Sequence, residues 1–148
     1  MRLRWLSALA AVAVVIGASP SVASASQSSK VVSEWKAADG TFGNADFKWT
    51  SALSGSNPTL TQVKKASLAF IPAIKTFDTA LKKIHFTGKT ATDIASLITV
   101  NTKEIAILGH ITSLKSFEGD FGALEAKFGS LQAALSKDLG IPEADIQV

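Results

Sequence analysis

The chain has 148 residues, of which 47% are apolar and 18% charged, a composition typical of a small folded domain rather than a disordered segment. It contains no cysteine. This excludes a disulfide framework, a thiolate metal site and a cysteine nucleophile.

The N-terminal segment has the pattern of a secretory signal peptide. Arg2 and Arg4 precede an apolar run over residues 6–18, and Ala23-Ser24-Ala25 matches a small-residue cleavage site. The run is shorter than the roughly 20 residues that a membrane-spanning helix needs. We therefore expect a signal peptide over residues 1–25, one helical-bundle domain over residues 26–148 without a membrane span, and a secreted or extracytoplasmic location.

Cleavage would change the charge of the chain, because its only two arginines lie in this leader. The remainder carries 13 lysines against 12 acidic residues, a net charge of +1. A weakly charged chain without arginine lacks the usual marks of a nucleic-acid-binding protein. We expect no nucleic-acid partner.

The first helix of residues 26–148 is predicted from apolar residues spaced alternately four and three apart. They are Val31, Trp35, Ala38, Phe42, Ala45, Trp49 and Ala52. This spacing places them on one helical face. Gly40 and Gly43 interrupt the pattern, and each glycine costs about 1 kcal/mol in a helix. The sequence predicts a helix with a weak middle, broken or continuous near Gly40.

The second helix has the clearest pattern in the chain. Its apolar face repeats every three or four residues and comprises Leu60, Val63, Ser67, Phe70, Ile74, Phe77, Leu81 and Ile84. Thr59 and Gln62 have the spacing of a capping box, in which each side chain bonds to the other residue's backbone N–H. The sequence predicts a helix over residues 60–84.

Two more helices follow. The third is predicted from the apolar face of Ile94, Leu97, Ile98, Ile105, Leu108, Ile111 and Leu114. Thr90 and Asp93 are its expected capping box, and Gly119 its expected end. The fourth is expected over residues 121–139, capped by Asp120 and ended by Gly140. Short links between four helices predict an all-α, antiparallel up-down bundle.

No residue set in the sequence predicts catalysis, a metal site or a cofactor. The string Thr87-Gly88-Lys89-Thr90 resembles the end of a phosphate-binding loop, but position 83 is lysine instead of glycine, and a helix precedes it. The two histidines lack metal-ligand spacing. His85 is the one candidate ligand for a haem. We expect a protein that is not an enzyme.

Two polar residues fall on apolar helical faces. Asn101 lies within the stripe of the third helix, and Ser67 lies within that of the second. A buried polar group requires a hydrogen-bond partner. The two residues either fix the register of the helices, with Ser67 as a candidate partner of Asn101, or contact a ligand in a pocket.

Charge is distributed unevenly along the chain. Residues 60–89 carry a net charge of +5, and residues 90–148 carry −4. Five lysines of the second helix lie within an arc of about 100° away from the apolar stripe. We call them the basic face: Lys64, Lys65, Lys75, Lys82 and Lys83. They form either a solvated surface partly paired with acidic helices or a docking surface for an anionic envelope polymer or an acidic protein.

These observations favour an exported, non-enzymatic helical domain that binds a partner at or outside the cell envelope. The alternative is a carrier of a small apolar ligand, lipid-like or haem-like, held between the helices.

Overall fold

The computed structural model describes residues 27–54 and 57–141. They form four helices, α1 (Ser29–Leu53), α2 (Leu60–Leu81), α3 (Gly88–Gly109) and α4 (Leu114–Asp138), and no strand occurs among them. The predicted all-α four-helix fold is confirmed. The predicted signal peptide lies outside the described residues.

Aromatic side chains show that neighbouring helices run antiparallel. Early in α1, Trp35 contacts Phe86, which follows α2, with 6.3 Å between ring centroids. Late in α1, Trp49 stacks on Phe70, in the first half of α2, at 5.1 Å. Trp49 also lies 5.3 Å from Phe121, in the first half of α4. Helix α1 therefore runs opposite to both α2 and α4.

Helix α1 is continuous through the glycines that weaken its middle. Gly40 lies inside the helix, and Trp35, Phe42 and Trp49 on either side of it are all buried. Burying a large aromatic side chain contributes more than the roughly 1 kcal/mol that a helical glycine costs. Tertiary packing thus holds both halves in one helix.

The predicted start of α2 is confirmed, because Thr59 and Gln62 form the capping box in both directions. Pro72 lies inside α2, and it is exposed on the side away from the core. The helix ends at Leu81, so His85 lies beyond it.

The predicted boundary between the third and fourth helices is wrong. Gly119 and Asp120 lie within α4, which begins at Leu114, and the side chain of Ser113 caps it by accepting a hydrogen bond from the Ser116 N–H. Helix α4 starts early because its apolar spacing continues without a break through Leu114, Phe117 and Phe121.

The predicted capping box of the third helix is wrong as well. The residue that precedes α3 is Thr87, which makes no side-chain capping bond, and Thr90 is buried inside the helix.

The end of α4 follows the sequence prediction. Gly140 has a positive φ of 66°, a conformation that glycine adopts without strain. The Ile141 N–H donates to the Ser136 carbonyl at 2.8 Å. The buried Ile141 side chain then covers the helix end.

Phe42 lies at the centre of the core. Its ring is 4.6 Å from that of Phe77, 5.6 Å from that of Phe70 and 5.5 Å from that of Phe128. The apolar stripes of α1, α2 and α4 therefore meet at one point. None of the described helices combines the length and the apolar character required to cross a membrane.

Candidate functional site

All five lysines of the basic face are exposed, but only Lys64, Lys65 and Lys75 lie on α2, because the helix ends at Leu81 and Lys82 and Lys83 follow it. None of them forms an ion pair within the described part of the chain. Lys89, just inside α3, differs: its ammonium pairs with Asp93 and, at 3.2 Å, with Asp138. The expected pairing of the basic face with acidic helices is absent from the described residues.

The phosphate-loop-like string is engaged in contacts between segments. In addition to the two carboxylates that Lys89 contacts, the side-chain amide of Gln27 donates to the Thr87 carbonyl at 3.1 Å. Both histidines are exposed, and the described residues contain no group of three or more histidines and acids that could hold a metal ion.

Asn101 and Ser67, the two polar residues expected on apolar faces, both lie in the core with no exposed surface. The Asn101 amide donates to Asp78 Oδ1 at 2.6 Å, so its partner is Asp78 rather than Ser67. The Asn101 carbonyl oxygen and the Ser67 hydroxyl have no hydrogen-bond partner.

Asp78 belongs to a set of carboxyl groups that the sequence analysis did not single out. Each helix contributes one member: Asp46 from α1, Asp78 from α2, Glu104 from α3 and Glu125 from α4. We call these four residues the acidic cluster. Glu104 is 2% exposed and Asp78 is 7% exposed. Asp46 and Glu125 are partly buried.

Burial raises the pKa of every member of the acidic cluster. The pKa of Glu104 rises from 4.5 to about 8, first through burial and then through the negative charges of Glu125, Asp46 and Asp78. Burial and the charge of Asp46 raise the pKa of Glu125 to about 7. Burial alone raises the pKa of Asp46 to about 6. At neutral pH the carboxyl group of Glu104 therefore retains its proton.

The pKa of Asp78 is subject to opposing influences. Burial raises it, whereas the hydrogen bond from Asn101 and the positive charge of Lys82 lower it. Lys82 belongs to the basic face and lies one turn further along the chain, just after α2. Asp78 is thus the point where the acidic cluster approaches the basic face.

A second polar contact joins α1 and α4 two helical turns from the cluster. The Gln132 amide donates to the Asp39 carboxylate at 2.9 Å. Asp39 precedes Asp46 by seven residues, and Gln132 follows Glu125 by seven. The antiparallel pair therefore has an amide opposite a carboxyl at one level and two carboxyls at the other.

An open groove of about 630 Å³ lies between α1 and α2. Small side chains, including Ala38, Ala73 and Ala80, leave its space free, and the rings of Phe42 and Phe77 also line it. Lys83 lies at one end. Neither Asn101 nor any member of the acidic cluster lines it.

A signal for Glu104 was present in the sequence. Leu97, Asn101, Glu104 and Leu108 are spaced four, three and four apart, and all four are buried. The predicted apolar face contained Leu97 and Leu108, with Asn101 between them, but it included Ile105, which is only partly buried, in place of Glu104. Glu104 follows Asn101 by three positions, so the spacing that places Asn101 on the apolar face also places Glu104 there.

Comparisons with known proteins add no further restriction. No protein-family model matches the chain, and neither a curated protein nor a solved structure shows significant similarity to it.

Proposed function

We propose that this protein is an exported, non-enzymatic domain that docks on an anionic polymer of the cell envelope through the basic face of α2. The observation that carries the proposal is that these five lysines are exposed and form no ion pair with another described residue, although the charge of Lys82 lowers the pKa of Asp78. Ammonium groups without protein partners are available to carboxylates or phosphates of another molecule.

The distribution of charge over the whole bundle supports this proposal. All 13 lysines of the described residues are exposed, but only two of the ten acidic residues, Glu34 and Asp120, are exposed. Acidic groups that retain protons inside the bundle do not offset the lysines at neutral pH. The field outside the protein is therefore more positive than the formal charge indicates.

The shape of the basic face favours a linear polymer over a compact acidic protein. Lys64 and Lys75 are 11 positions apart on α2, a distance of about 16 Å along its axis, and Lys82 and Lys83 follow directly after its last residue, Leu81. Lysine is a strongly hydrated point charge on a flexible stem, so it tolerates phosphate or carboxylate groups at variable positions. Binding would be electrostatic and would weaken as salt shortens the Debye length below about 8 Å.

Affinity measurements on polyphosphate and poly-glutamate test this proposal. A variant with Lys64, Lys65, Lys82 and Lys83 replaced by Gln should keep its helical melt, because Gln is a good helix former. It should lose at least tenfold in affinity for one of the two polymers at low salt, since four phosphate or carboxylate contacts are removed.

A matched control removes the same charge elsewhere. Lys103, Lys115, Lys127 and Lys137 are exposed lysines of α3 and α4, and their joint replacement by Gln should leave most of the affinity intact. Equal losses in both variants would mean that net charge alone governs binding and would contradict a docking face. If the protein bound an acidic host protein and neither polymer, the partner of the basic face would be a protein and the polymer proposal would be wrong.

The groove between α1 and α2 favours a second candidate function, a carrier of a lipid-like amphiphile with a carboxylate head. Its volume falls within the roughly 300–1,000 Å³ of typical ligand sites. Lys83 supplies a cation at one end. Glu34 lies at the same end of the groove. Its Oε1 is 3.8 Å from Lys30 Nζ, so its negative charge is paired with that ammonium group.

Calorimetry with dodecanoate tests the carrier. Ala73→Leu should fill the groove and abolish heat of binding, whereas Ala95→Leu, at an exposed position on α3, should not. Absence of binding by the wild-type protein, or equal binding by both variants, would exclude this site. Asn101 and Ser67, which the sequence offered as ligand contacts, do not line the groove.

A further inference from the structure

We propose that the acidic cluster is a proton-binding centre that makes the packing of the four helices depend on pH. The proposal starts from position: each helix contributes one carboxyl group, Glu104 is 2% exposed in the core, and the charges of the other three members all act on it. A proton is the ligand, and its release at alkaline pH loosens the bundle from inside.

Unpartnered atoms show that the charged form of the cluster is poorly supported. Glu104 Oε1 is buried and has no hydrogen-bond partner, and the same holds for the carbonyl oxygen of Asn101, one turn before it on α3. A buried carboxylate without donors carries a large desolvation cost. A protonated Glu104 carboxyl avoids this cost and gains an O–H that is able to donate.

The surrounding groups from each packed helix act in the same direction. Asp46 on α1, Asp78 on α2 and Glu125 on α4 all place negative charge near Glu104. Among the described residues, Lys82 is the basic group that acts on the cluster, and it acts on Asp78. Ionising Glu104 therefore adds charge where carboxylates are already close and no cation compensates.

Other roles fit the cluster less well. The described residues contain no grouping suitable for a metal ion, and no cluster member lines the groove through which a substrate could approach. A buried set of acids outside the groove still has one ligand small enough to reach it, the proton.

The direction of the pH effect follows from linkage. Folding raises the pKa values of the cluster, so the native chain holds protons at pH values where the unfolded chain has released them. The unfolded state then binds fewer protons, and the free energy of unfolding falls as the pH rises. The loss should begin near pH 4.5, the ordinary value for Glu, and extend to about 8.

The first experiment uses the unmodified protein. An NMR titration of the side-chain carboxyl carbons of glutamate should show one group with an apparent pKa of about 8 and a second of about 7. If every glutamate titrates near its ordinary value of 4.5, the proposal is overturned without any mutation.

Two variants then connect the titration to packing. Glu104→Gln keeps the size of the side chain but cannot ionise, so its urea midpoint should change much less between about pH 5 and about pH 9 than that of the wild type. Glu125→Gln should have a smaller effect in the same direction, and it serves if Glu104→Gln fails to fold. At alkaline pH, backbone amide exchange in α3, corrected for its intrinsic pH dependence, should be slower in both variants than in the wild type.

Glu118→Gln is the matched control, because it removes one acid from α4 outside the cluster. Its pH dependence should equal that of the wild type. If Glu118→Gln flattens the pH dependence as much as the two cluster variants, the effect is one of net charge. If Glu104→Gln changes stability equally at every pH, Glu104 has only a packing role.

Discussion

The outer face of α2 and the interior behind it hold charge in opposite ways. On the outside, five lysines extend into water without ion pairs in the described residues. On the inside, carboxyl groups from four helices share a site where burial favours their neutral form. The sequence suggested a basic helix beside acidic ones, but two acids of α3 and α4, Glu104 and Glu125, belong to the cluster. Part of the negative charge expected on the outside is thus missing, because these acids are buried and burial favours their neutral, protonated form.

This difference explains why formal charge describes the bundle poorly. Lysine has a long apolar stem that lies along a helix while its ammonium stays hydrated, and it therefore reaches water from most positions. The shorter aspartate and glutamate side chains at the flanks of an apolar stripe are enclosed by the next helix. At neutral pH the surface becomes more basic than the composition implies, and the core becomes sensitive to protons.

The largest expected effect separates the two sides of α2. Phe77→Ala should lower the free energy of unfolding by about 3–5 kcal/mol, because it removes a ring that is 2% exposed and stacked on Phe42. Lys75→Ala, two residues earlier and exposed, should change it by less than about 0.5 kcal/mol. Urea denaturation measures both, and similar midpoints would remove the distinction between the inner and outer faces.

The second prediction concerns the contact between Gln132 of α4 and Asp39 of α1. Replacing Gln132 with Glu would give this level of the bundle two carboxyl groups, as at Asp46 and Glu125. Gln132→Glu should destabilise the bundle by about 1–3 kcal/mol more at pH 8 than at pH 5, because it replaces the donor to Asp39 with a second ionisable acid. Burial already raises the pKa of Asp39 to about 6 even with this donor. The measurement is urea denaturation at the two pH values.

Gln132→Met is the control for that change, since it removes the amide without adding an acid. It should cost stability and, because the lost amide lowers the pKa of Asp39, it should increase the pH dependence, but by less than the added acid of Gln132→Glu does. If the glutamate and methionine variants show the same pH dependence, a pair of carboxyls between α1 and α4 does not make stability depend on pH, and the comparison between the two levels fails.

The sequence predicted the buried apolar positions better than the buried acids, and the reason is physical. An apolar stripe such as that of α2 has one favourable environment, so spacing alone located Val63, Phe70 and Ile74 in the core. An acid at the edge of a stripe is compatible with water or with a partner on another helix. The choice depends on residues more than twenty positions away, as Asp78 and Asn101 show.

The helix ends show the same contrast between local signals, which could be predicted, and tertiary contacts, which could not. The capping box at Thr59 lies within four residues and could be predicted from local spacing, whereas Gly119 required knowledge of what α4 packs against. Helical glycines are costly in isolation, but the buried rings of Phe117 and Phe121 on either side of Gly119 hold the helix together. Tertiary packing therefore decides at positions where local preference is weak.

The smallest expected effect asks what kind of surface the basic face is. Leu68 is 57% exposed and lies on the same side of α2 as Lys64 and Lys65, so it is the one large apolar side chain within the charged arc. Leu68→Gln should change the free energy of unfolding by less than about 0.5 kcal/mol. If docking is electrostatic, affinity for polyphosphate or poly-glutamate and its dependence on salt should both remain as in the wild type.

Phe47→Gln, at a side chain on α1 that is 71% exposed, is the control for loss of an apolar group elsewhere. A loss of affinity in Leu68→Gln but not in Phe47→Gln would show that the partner also offers an apolar contact, and a lipid surface or a protein would then replace the purely anionic polymer.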